Sequence, residues 1–215
     1  KFWLTPVCGG YMPPDSIKAF YRRMGVEPDQ VTDLRYRGHG CPGPTRITTA
    51  AKVVDAHYLD FWGEDESMWD MPFRCKVCPD GIGEASDIAV ADTWILGSPK
   101  REDTDTDLGT NAAIARTTAG AQLLAEAAAA GALVFDRDIT PDHMSTYQPH
   151  QLTKKYAAWP RYQGLQDAGR LTPQTERLRI KQLAAEMPDA VNAQQRQGTL
   201  DRVKAGKTDQ PTPTE

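Results

Sequence analysis

All four cysteines of this chain lie in turn sequences that are rich in Gly and Pro. They are Cys8 in "VCGG", Cys41 in "GHGCPGP", and Cys75 and Cys78 in "RCKVCPDG". Buried structural cysteines usually lie within apolar strands or helices, whereas backbone N–H groups in turns are free to face a ligand. The cysteine pattern therefore predicts a fold whose N-terminal turns surround a ligand.

The spacing of the cysteines leaves four interpretations open. Four cysteines in 215 residues are too few for a disulfide scaffold. Four thiolates suit structural zinc, although zinc ribbons usually carry two CxxC pairs. A redox CxxC should begin a helix, which Pro79 and Gly81 disfavour. CxxC followed by Pro is familiar from iron–sulfur loops, so the spacing favours a [4Fe–4S] cluster over zinc, a redox disulfide or inert cysteines.

The composition excludes several classes of partner. The net charge of −4, from 25 basic and 29 acidic residues, provides no electrostatic footprint for nucleic acid or an anionic membrane. No apolar run approaches the roughly 18 residues that a membrane span needs. The chain begins at Lys1 and reads directly into an apolar segment without a secretory signal. We therefore expect a cytoplasmic protein from which an N-terminal portion is missing.

The hydrophobic pattern predicts an α/β to α+β fold with a mixed sheet flanked by helices. Helix 13–26 is expected because Ile17, Phe20, Tyr21 and Met24 share one face. A strand–helix–strand unit over 111–139 predicts a parallel pair with a right-handed crossover. Strands are predicted at 2–7, 31–38, 86–94, 111–117 and 132–139, a strand or hairpin at 45–54, and further helices at 55–63 and 118–131.

The composition changes near residue 145. We predict one domain over 1–145, a polar surface loop over 98–110, and a polar helical extension over 146–198. Within the extension, an exposed helix over 173–197 is interrupted by Pro188. The basic, aromatic stretch "TKKYAAWPRYQG" is a candidate docking surface for a partner or for the missing N-terminal half, and residues 199–215 form a predicted disordered tail.

Three stretches, taken in order, carry a family resemblance. "LRYRGHGCPG", "FRCKVCPDGIGEASDIAVADTW" and "NAAIARTTAGAQLLAEAAAAGAL" together resemble the C-terminal domain of the coenzyme F-420 hydrogenase/dehydrogenase beta subunit family. That family includes a formate dehydrogenase beta subunit and 7-hydroxymethyl chlorophyll a reductase. The likeness covers roughly residues 2–135, and the family has a further region upstream, which implies an N-terminal half or partner subunit.

The resemblance implies an iron–sulfur flavoprotein oxidoreductase with FAD and a [4Fe–4S] cluster. Electrons would pass between a ferredoxin-like carrier, the cluster and the flavin, which exchanges a hydride with a small-molecule substrate or a deazaflavin. The alternatives are an electron-transfer subunit of a larger dehydrogenase and a zinc-stabilised binding module without a redox role.

The resemblance also implies metal ligands. Cys75 and Cys78 match the cluster motif, and Cys8 matches a cysteine in a turn before a helix. Cys41 is the candidate fourth ligand, in competition with a cysteine from upstream.

Flavin contacts are expected along the turn that ends the 31–38 strand and beside the CxxC. A guanidinium at Arg37 can stabilise a reduced flavin, and the glycines of this turn allow close approach of the backbone to a pyrophosphate. The alternatives are surface arginines, a solvated His39, core packing of Trp94 and a helix cap beside Arg116. The candidates are Arg37, Gly38, His39, Gly40, Asp87, Asp92, Trp94 and Arg116.

Overall fold

The fold consists of two small sheets with helices around them. The computed structural model describes residues 1–63, 71–102 and 109–209, so part of the predicted 98–110 loop and the end of the predicted tail lie outside the described residues. The strands are β1 (Leu4–Pro6), β2 (Val31–Arg35), β3 (Thr45–Thr49), β4 (Val53–Ala56), β5 (Ile88–Asp92) and β6 (Asn111–Ala115). The helices are α1 (Pro14–Arg23), α2 (Tyr58–Trp62), α3 (Phe73–Lys76), α4 (Thr118–Ala129), α5 (Pro141–Tyr147), α6 (Pro149–Asp167), α7 (Ile180–Ala185) and α8 (Asp189–Lys204).

The first sheet has the order β1–β5–β6 and is mixed. β1 runs parallel to β5, with Leu4 opposite Ile88, and β6 runs antiparallel to β5. Ile88, Ala89 and Ala91 of β5 are buried, as expected for the central strand of a small sheet. The mixed sheet flanked by helices confirms the predicted fold class.

The second sheet, β2–β3–β4, is antiparallel and packs against α1. The predicted apolar face of α1 is confirmed, because Ile17, Phe20, Tyr21 and Met24 all belong to one core cluster. Phe20 meets Phe61 of α2 edge to face at 5.0 Å. Each fully buried side chain of this kind stabilises the fold by about 1.5–3 kcal/mol.

The predicted parallel crossover over 111–139 is wrong. β6 pairs antiparallel with β5, and residues 132–139 form no strand. Leu133, Val134 and Phe135 are exposed there. The composition of this segment is typical of a strand, but no strand among the described residues pairs with it. A strand forms only where a partner strand is available, and composition does not determine that partner.

The C-terminal helices pack as a small bundle on α6. Ala158, Tyr162 and Leu165 of α6 share a core with Ile180 of α7. The predicted break at Pro188 is confirmed, since α7 ends before it and α8 begins directly after it. In the predicted helix over 173–197, helical structure begins at Ile180 rather than at residue 173. Residues 199–204 complete α8, so the predicted disordered tail is wrong for its first residues.

The division at residue 145 falls inside α5 and stays a prediction. Within the described residues, no helix is both long enough and apolar enough to cross a membrane.

Candidate functional site

The turn that carries Cys8 lies directly against the loop that carries Cys75 and Cys78. The Cys8 backbone N–H donates to the Gly81 carbonyl at 2.8 Å. A Cβ on Gly10 would lie 3.3 Å from the Cys75 Cβ and would also meet the flexible end of Met71. The turn of Cys8 therefore packs closely against the CxxC loop.

The CxxC loop is closed by local hydrogen bonds. Cys75 lies in the short helix α3, and the Cys78 N–H donates to the Cys75 carbonyl at 3.4 Å. The Asp80 carboxylate accepts from the backbone N–H groups of Glu84 and Ala85, at 2.6 and 3.1 Å. Asp80 thus acts as a turn-closing residue, because short acidic side chains readily bond backbone groups a few positions on.

Two lysines of α6 hold the carbonyl groups of both cysteine loops. The Lys154 ammonium donates to the carbonyls of Cys8 and Gly9, at 3.2 and 2.9 Å. The Lys155 ammonium donates to the Pro79 carbonyl at 2.9 Å and forms an ion pair with Glu84. Both lysines are buried, at 9% and 8% exposure. Burying an ammonium group is costly unless it is hydrogen-bonded, so these contacts fix α6 to the loops.

Two further side chains of α6 contact the same region. An Arg161 guanidinium N–H donates to the Lys76 carbonyl at 2.7 Å, and the Tyr162 hydroxyl donates to the Val77 carbonyl at 2.8 Å. Burial, together with the nearby Cys78, raises the pKa of Tyr162 well above its usual value. The basic, aromatic stretch that predicted a docking surface therefore packs on the cysteine loops of its own chain.

Cys41 lies in a different environment. A Cβ on Gly109 would lie 2.6 Å from the Cys41 sulfur, in a cavity of about 190 Å³ that Arg37 and Asp92 also line. All four cysteines are free thiols. Across 1–63, 71–102 and 109–209, no group of three or more His, Cys, Asp or Glu side chains has an arrangement that could hold a metal ion. The structure thus brings Cys8 beside the CxxC loop and places Cys41 in the neighbouring cavity.

The Arg37–Asp92 ion pair joins the two sheets at this cavity. A guanidinium nitrogen of Arg37 lies 2.7 Å from the Asp92 carboxylate, at the end of β5. Burial lowers the pKa of Arg37, but the hydrogen bond and charge of Asp92 raise it by more, so the guanidinium keeps its charge. Of the residues predicted from sequence, the cavity brings together Arg37, Gly38, Gly40, Cys41, Asp92 and Trp94.

His39 is the exception in this turn. It is exposed, has a φ of 60°, and is absent from the described lining of the cavity. A left-handed backbone is uncommon outside glycine, and His is among the residues that tolerate it.

A larger cavity of about 320 Å³ adjoins the first and shares Asp92 and Trp94 with it. Tyr58, Gln148 and His150, which sequence reasoning missed, line it. Burial raises the pKa of Tyr58 to about 12, with Arg37 and Asp92 acting in opposite directions. Near neutral pH the cavity therefore contains a protonated phenol.

The His150 imidazole in this cavity is neutral near pH 7. Burial, together with the charge of Lys154, lowers its pKa to about 4. The Gln148 amide donates to the Asp92 carbonyl at 2.8 Å, which fixes the start of α6 to the end of β5. The sequence signal that could have identified His150 is "QPHQLTKK", in which a His and a Lys stand four positions apart within a helical pattern.

Asp87 and Arg116 lie away from these two cavities. The Asp87 carboxylate accepts from the Trp3 backbone at 2.9 Å and from the Thr117 hydroxyl at 2.7 Å, and these bonds lower its pKa. Thr117 caps α4, and Arg116 donates to the Ile82 carbonyl at 2.8 Å. Thr117 is therefore the helix cap that was considered as the alternative beside Arg116. Asp87 and Arg116 stabilise the junction of β1, β5 and α4.

No match to this chain is found among curated proteins. A sequence profile that describes the C terminus of the coenzyme F420 hydrogenase/dehydrogenase beta subunit matches residues 1–139. This range spans more than half of the chain and contains all four cysteines and the Arg37–Asp92 pair. A hydrogenase or dehydrogenase is an oxidoreductase, and a beta subunit works beside a partner subunit. The chain belongs to the coenzyme F420 hydrogenase/dehydrogenase beta subunit family, whose C-terminal region it contains.

Proposed function

We propose that the chain is the FAD-binding and iron–sulfur part of an oxidoreductase. In this proposal, electrons pass between a one-electron carrier and the flavin by way of the cysteine site. The observation that supports it most is the Cys8 turn. Gly10 of this turn touches the Cys75 loop, and the same glycine lines the cavity that contains Tyr58 and Trp94. A redox centre on the cysteines would therefore adjoin a ring bound in that cavity.

The cysteine thiols are the donor type that a cluster uses, although among the described residues they do not converge on one metal position in this structure. Cys8, Cys75 and Cys78 supply three free thiols from two adjoining loops, and thiolates are the usual ligands of a [4Fe–4S] cluster. The proposed fourth thiolate is Cys41 from the neighbouring cavity or a cysteine of the partner subunit.

Arg37, Asp92 and Trp94 are the proposed flavin residues, with Gly38 and Gly40 allowing close approach. When bound, a flavin can exchange a hydride with an organic substrate and single electrons with a one-electron carrier. Asp92 holds the Arg37 guanidinium in place, where its positive charge favours an anionic ring. The Tyr58 phenol stays protonated and can donate a hydrogen bond to an organic substrate or a deazaflavin.

A second candidate is an electron-transfer subunit that serves a larger dehydrogenase. The family favours it, because a beta subunit works beside other chains. The two candidates differ in whether this chain itself reduces or oxidises an organic substrate. Turnover of a deazaflavin or a small molecule by the purified chain supports the first candidate, whereas electron exchange with a partner subunit alone supports the second.

The ligand assignment is tested by iron analysis of two cysteine variants. Cys75→Ser removes a thiolate of the CxxC loop, so we expect iron and acid-labile sulfide to disappear. Unchanged iron in this variant would contradict the assignment. Cys41→Ser is the matched comparison, since a similar loss there identifies Cys41 as the fourth ligand and unchanged iron excludes it.

A further inference from the structure

β6 is the outermost strand of the first sheet, and within the described residues no strand pairs with its outer edge. Its sequence, Asn-Ala-Ala-Ile-Ala, contains no charged residue and no proline, and its five residues pair with β5 without a break. Charged side chains, prolines and bulges are the usual means by which proteins keep an open edge from pairing with another chain. β6 has none of them, as expected of a strand that another chain covers.

The hydrogen bonds of β5 show which backbone groups of β6 face outward. The Arg116 N–H donates to the Asp87 carbonyl at 2.9 Å, so these opposite residues form a hydrogen-bonded pair. Such pairs alternate along an antiparallel ladder, which makes Ala113 and Ala115 members of non-bonded pairs. The Ile88 N–H, opposite Ala115, donates instead to the residue before β1, at 3.2 Å. The N–H and C=O groups of Ala113 and Ala115 therefore point away from β5, toward the outer edge.

A cavity of about 530 Å³ lies beside β6, and we call it the edge cleft. Residues 113–116 line it consecutively, although successive side chains of a strand point to opposite faces, so the edge cleft reaches the edge of the strand. The helices α5, α6 and α7 contribute the other walls. Much of the lining is aliphatic or thioether side chain, from Ile82, Ile114, Ile139, Met144, Leu152 and Leu183. An extended peptide paired with β6, at a spacing of about 4.8 Å, can place alternate side chains against this lining.

The charges in the edge cleft indicate what a bound segment carries. Glu84 is the acidic residue of the described lining, and it forms an ion pair with Lys155. Arg116 and Arg179 also line the edge cleft, and neither forms an ion pair with any residue that the structure describes. Complementary charges at an interface fix the register and orientation of the partner. A segment with a carboxylate at the arginines therefore suits the edge cleft.

We propose that the edge cleft receives an extended, apolar segment of the partner subunit, which adds a strand to β6 and directs a carboxylate to Arg116 and Arg179. The backbone of this segment exchanges hydrogen bonds with the outward N–H and C=O groups of Ala113 and Ala115. The edge specifies a polypeptide, because an extended backbone presents donors and acceptors at the same spacing. The family supplies the partner, since a beta subunit works beside another chain. This inference concerns assembly and does not depend on the proposed flavin or cluster.

The test is hydrogen exchange at single-residue resolution, on the chain alone and on its complex with the partner subunit. In the chain alone, we expect the amides of Ala113 and Ala115 to exchange fast, whereas those of Ala112 and Ile114 are protected by bonds to β5. In the complex, the amides of Ala113 and Ala115 should slow to the rate of their neighbours. A complex in which both amides exchange as fast as in the chain alone would overturn the proposal.

Ala113→Pro tests the hydrogen bond itself. Proline removes the outward N–H without removing a described bond of the fold, and it is tolerated on the open side of an edge strand. We expect the affinity for the partner subunit to fall at least about tenfold, because a hydrogen bond and the close approach of the strands are both lost. Ala113→Val is the matched control, since it keeps the N–H and suits a strand, and it should leave the affinity unchanged. Thermal melting verifies the fold, and Ala115→Pro provides a second variant of the same kind.

Other occupants give different results. Equal loss of affinity in the proline and valine variants would overturn strand pairing and assign the contact to side chains. Slow exchange at Ala113 and Ala115 that appears when the chain alone is concentrated, with the mass of two chains in sedimentation, would assign the edge to a second copy and overturn the proposal.

Arg179→Gln tests the carboxylate. Added salt should slow association of the wild-type chain with the partner subunit more than association of this variant, because salt screens the attraction between the arginines and the carboxylate. Equal salt dependence of the two proteins would overturn the assignment of a carboxylate to the segment.

Discussion

Arg37 is the residue whose charge matters most in the flavin proposal. It reaches Asp92 across the two sheets at 2.7 Å. We expect Arg37→Ala to weaken FAD retention about tenfold, because a charge-assisted contact and its orientation are both lost. The measurement is the flavin-to-protein ratio after dialysis, together with the dissociation constant of FAD.

Arg46→Ala is the control for Arg37→Ala. Arg46 forms an equally short ion pair with Asp55, at 2.7 Å, on the second sheet and outside the cavities. It should leave FAD retention unchanged. If the Arg37 variant keeps as much flavin as this control, Arg37 does not bind the flavin and is an ordinary surface residue.

His150 makes the stability of the fold depend on pH. Its pKa is about 4 in the folded chain against an ordinary value of 6.5, so the unfolded chain binds the extra proton first. The neutral imidazole makes its full contribution to the free energy of unfolding above pH 6.5, and this contribution is lost as the pH falls through 4. Between pH 7 and 4.5 we expect the wild-type free energy of unfolding to fall by roughly 2 kcal/mol more than that of His150→Gln. Parallel urea titrations of both proteins measure this difference, and equal pH dependence would refute it.

At the residue scale, the sequence predicted the turn at Arg37 and Gly38 but not Tyr58 and His150. The turn at Arg37 and Gly38 was predictable because glycines and a basic residue follow a strand. Tyr58 and His150 were missed because their roles depend on α6 folding back onto β5, through the Gln148–Asp92 contact. No local pattern encodes that long-range approach.

α6 is the element that holds the cysteine loops together. Lys155→Ala removes the donor to the Pro79 carbonyl and leaves the Glu84 carboxylate without its ion-pair partner. We expect a loss of about 2 kcal/mol in the free energy of unfolding, less than for a fully buried pair because Glu84 is partly exposed. Hydrogen exchange should accelerate at the backbone of residues 77–84. Lys181→Ala, an exposed lysine of α7, is the control, and unchanged exchange in the Lys155 variant would contradict the role of α6.

The crossing of α6 and α8 depends on one glycine. A Cβ on Gly164 would lie 2.3 Å from the Arg196 carbonyl, so Gly164→Ala should force the helices apart and cost about 1–3 kcal/mol. Gly198→Ala is the matched helical control, because its Cβ meets only the flexible end of Arg202 at 3.2 Å. Alanine there should be neutral or stabilising by about 0.5–1 kcal/mol. Denaturant unfolding measures both, and equal effects would show that the helices do not approach closely at Gly164.

The elements themselves were more predictable than their pairing. The face of α1 and the break at Pro188 follow from 3.6-residue periodicity and from the missing N–H of proline. The parallel crossover after α4 was predicted incorrectly, since apolar residues at 132–139 satisfy a strand pattern without determining a partner. Strand composition reports a tendency to pair, and the pairing itself is decided by tertiary contacts.

At the scale of the whole molecule, an acidic family domain meets a basic helical segment at the cysteine loops. The family profile ends at residue 139, yet α6 supplies four side chains that contact those loops. We therefore expect a chain truncated after 148 to lose the ordered cysteine site, although its second sheet and α1 have a core of their own.

Anaerobic purification decides whether this chain carries an iron–sulfur cluster and a flavin. Iron, acid-labile sulfide, zinc and flavin would be quantified in one preparation, with its visible absorption spectrum. We expect a brown protein with equal amounts of iron and sulfide and with bound FAD. A colourless protein that holds one zinc ion and no flavin would contradict it.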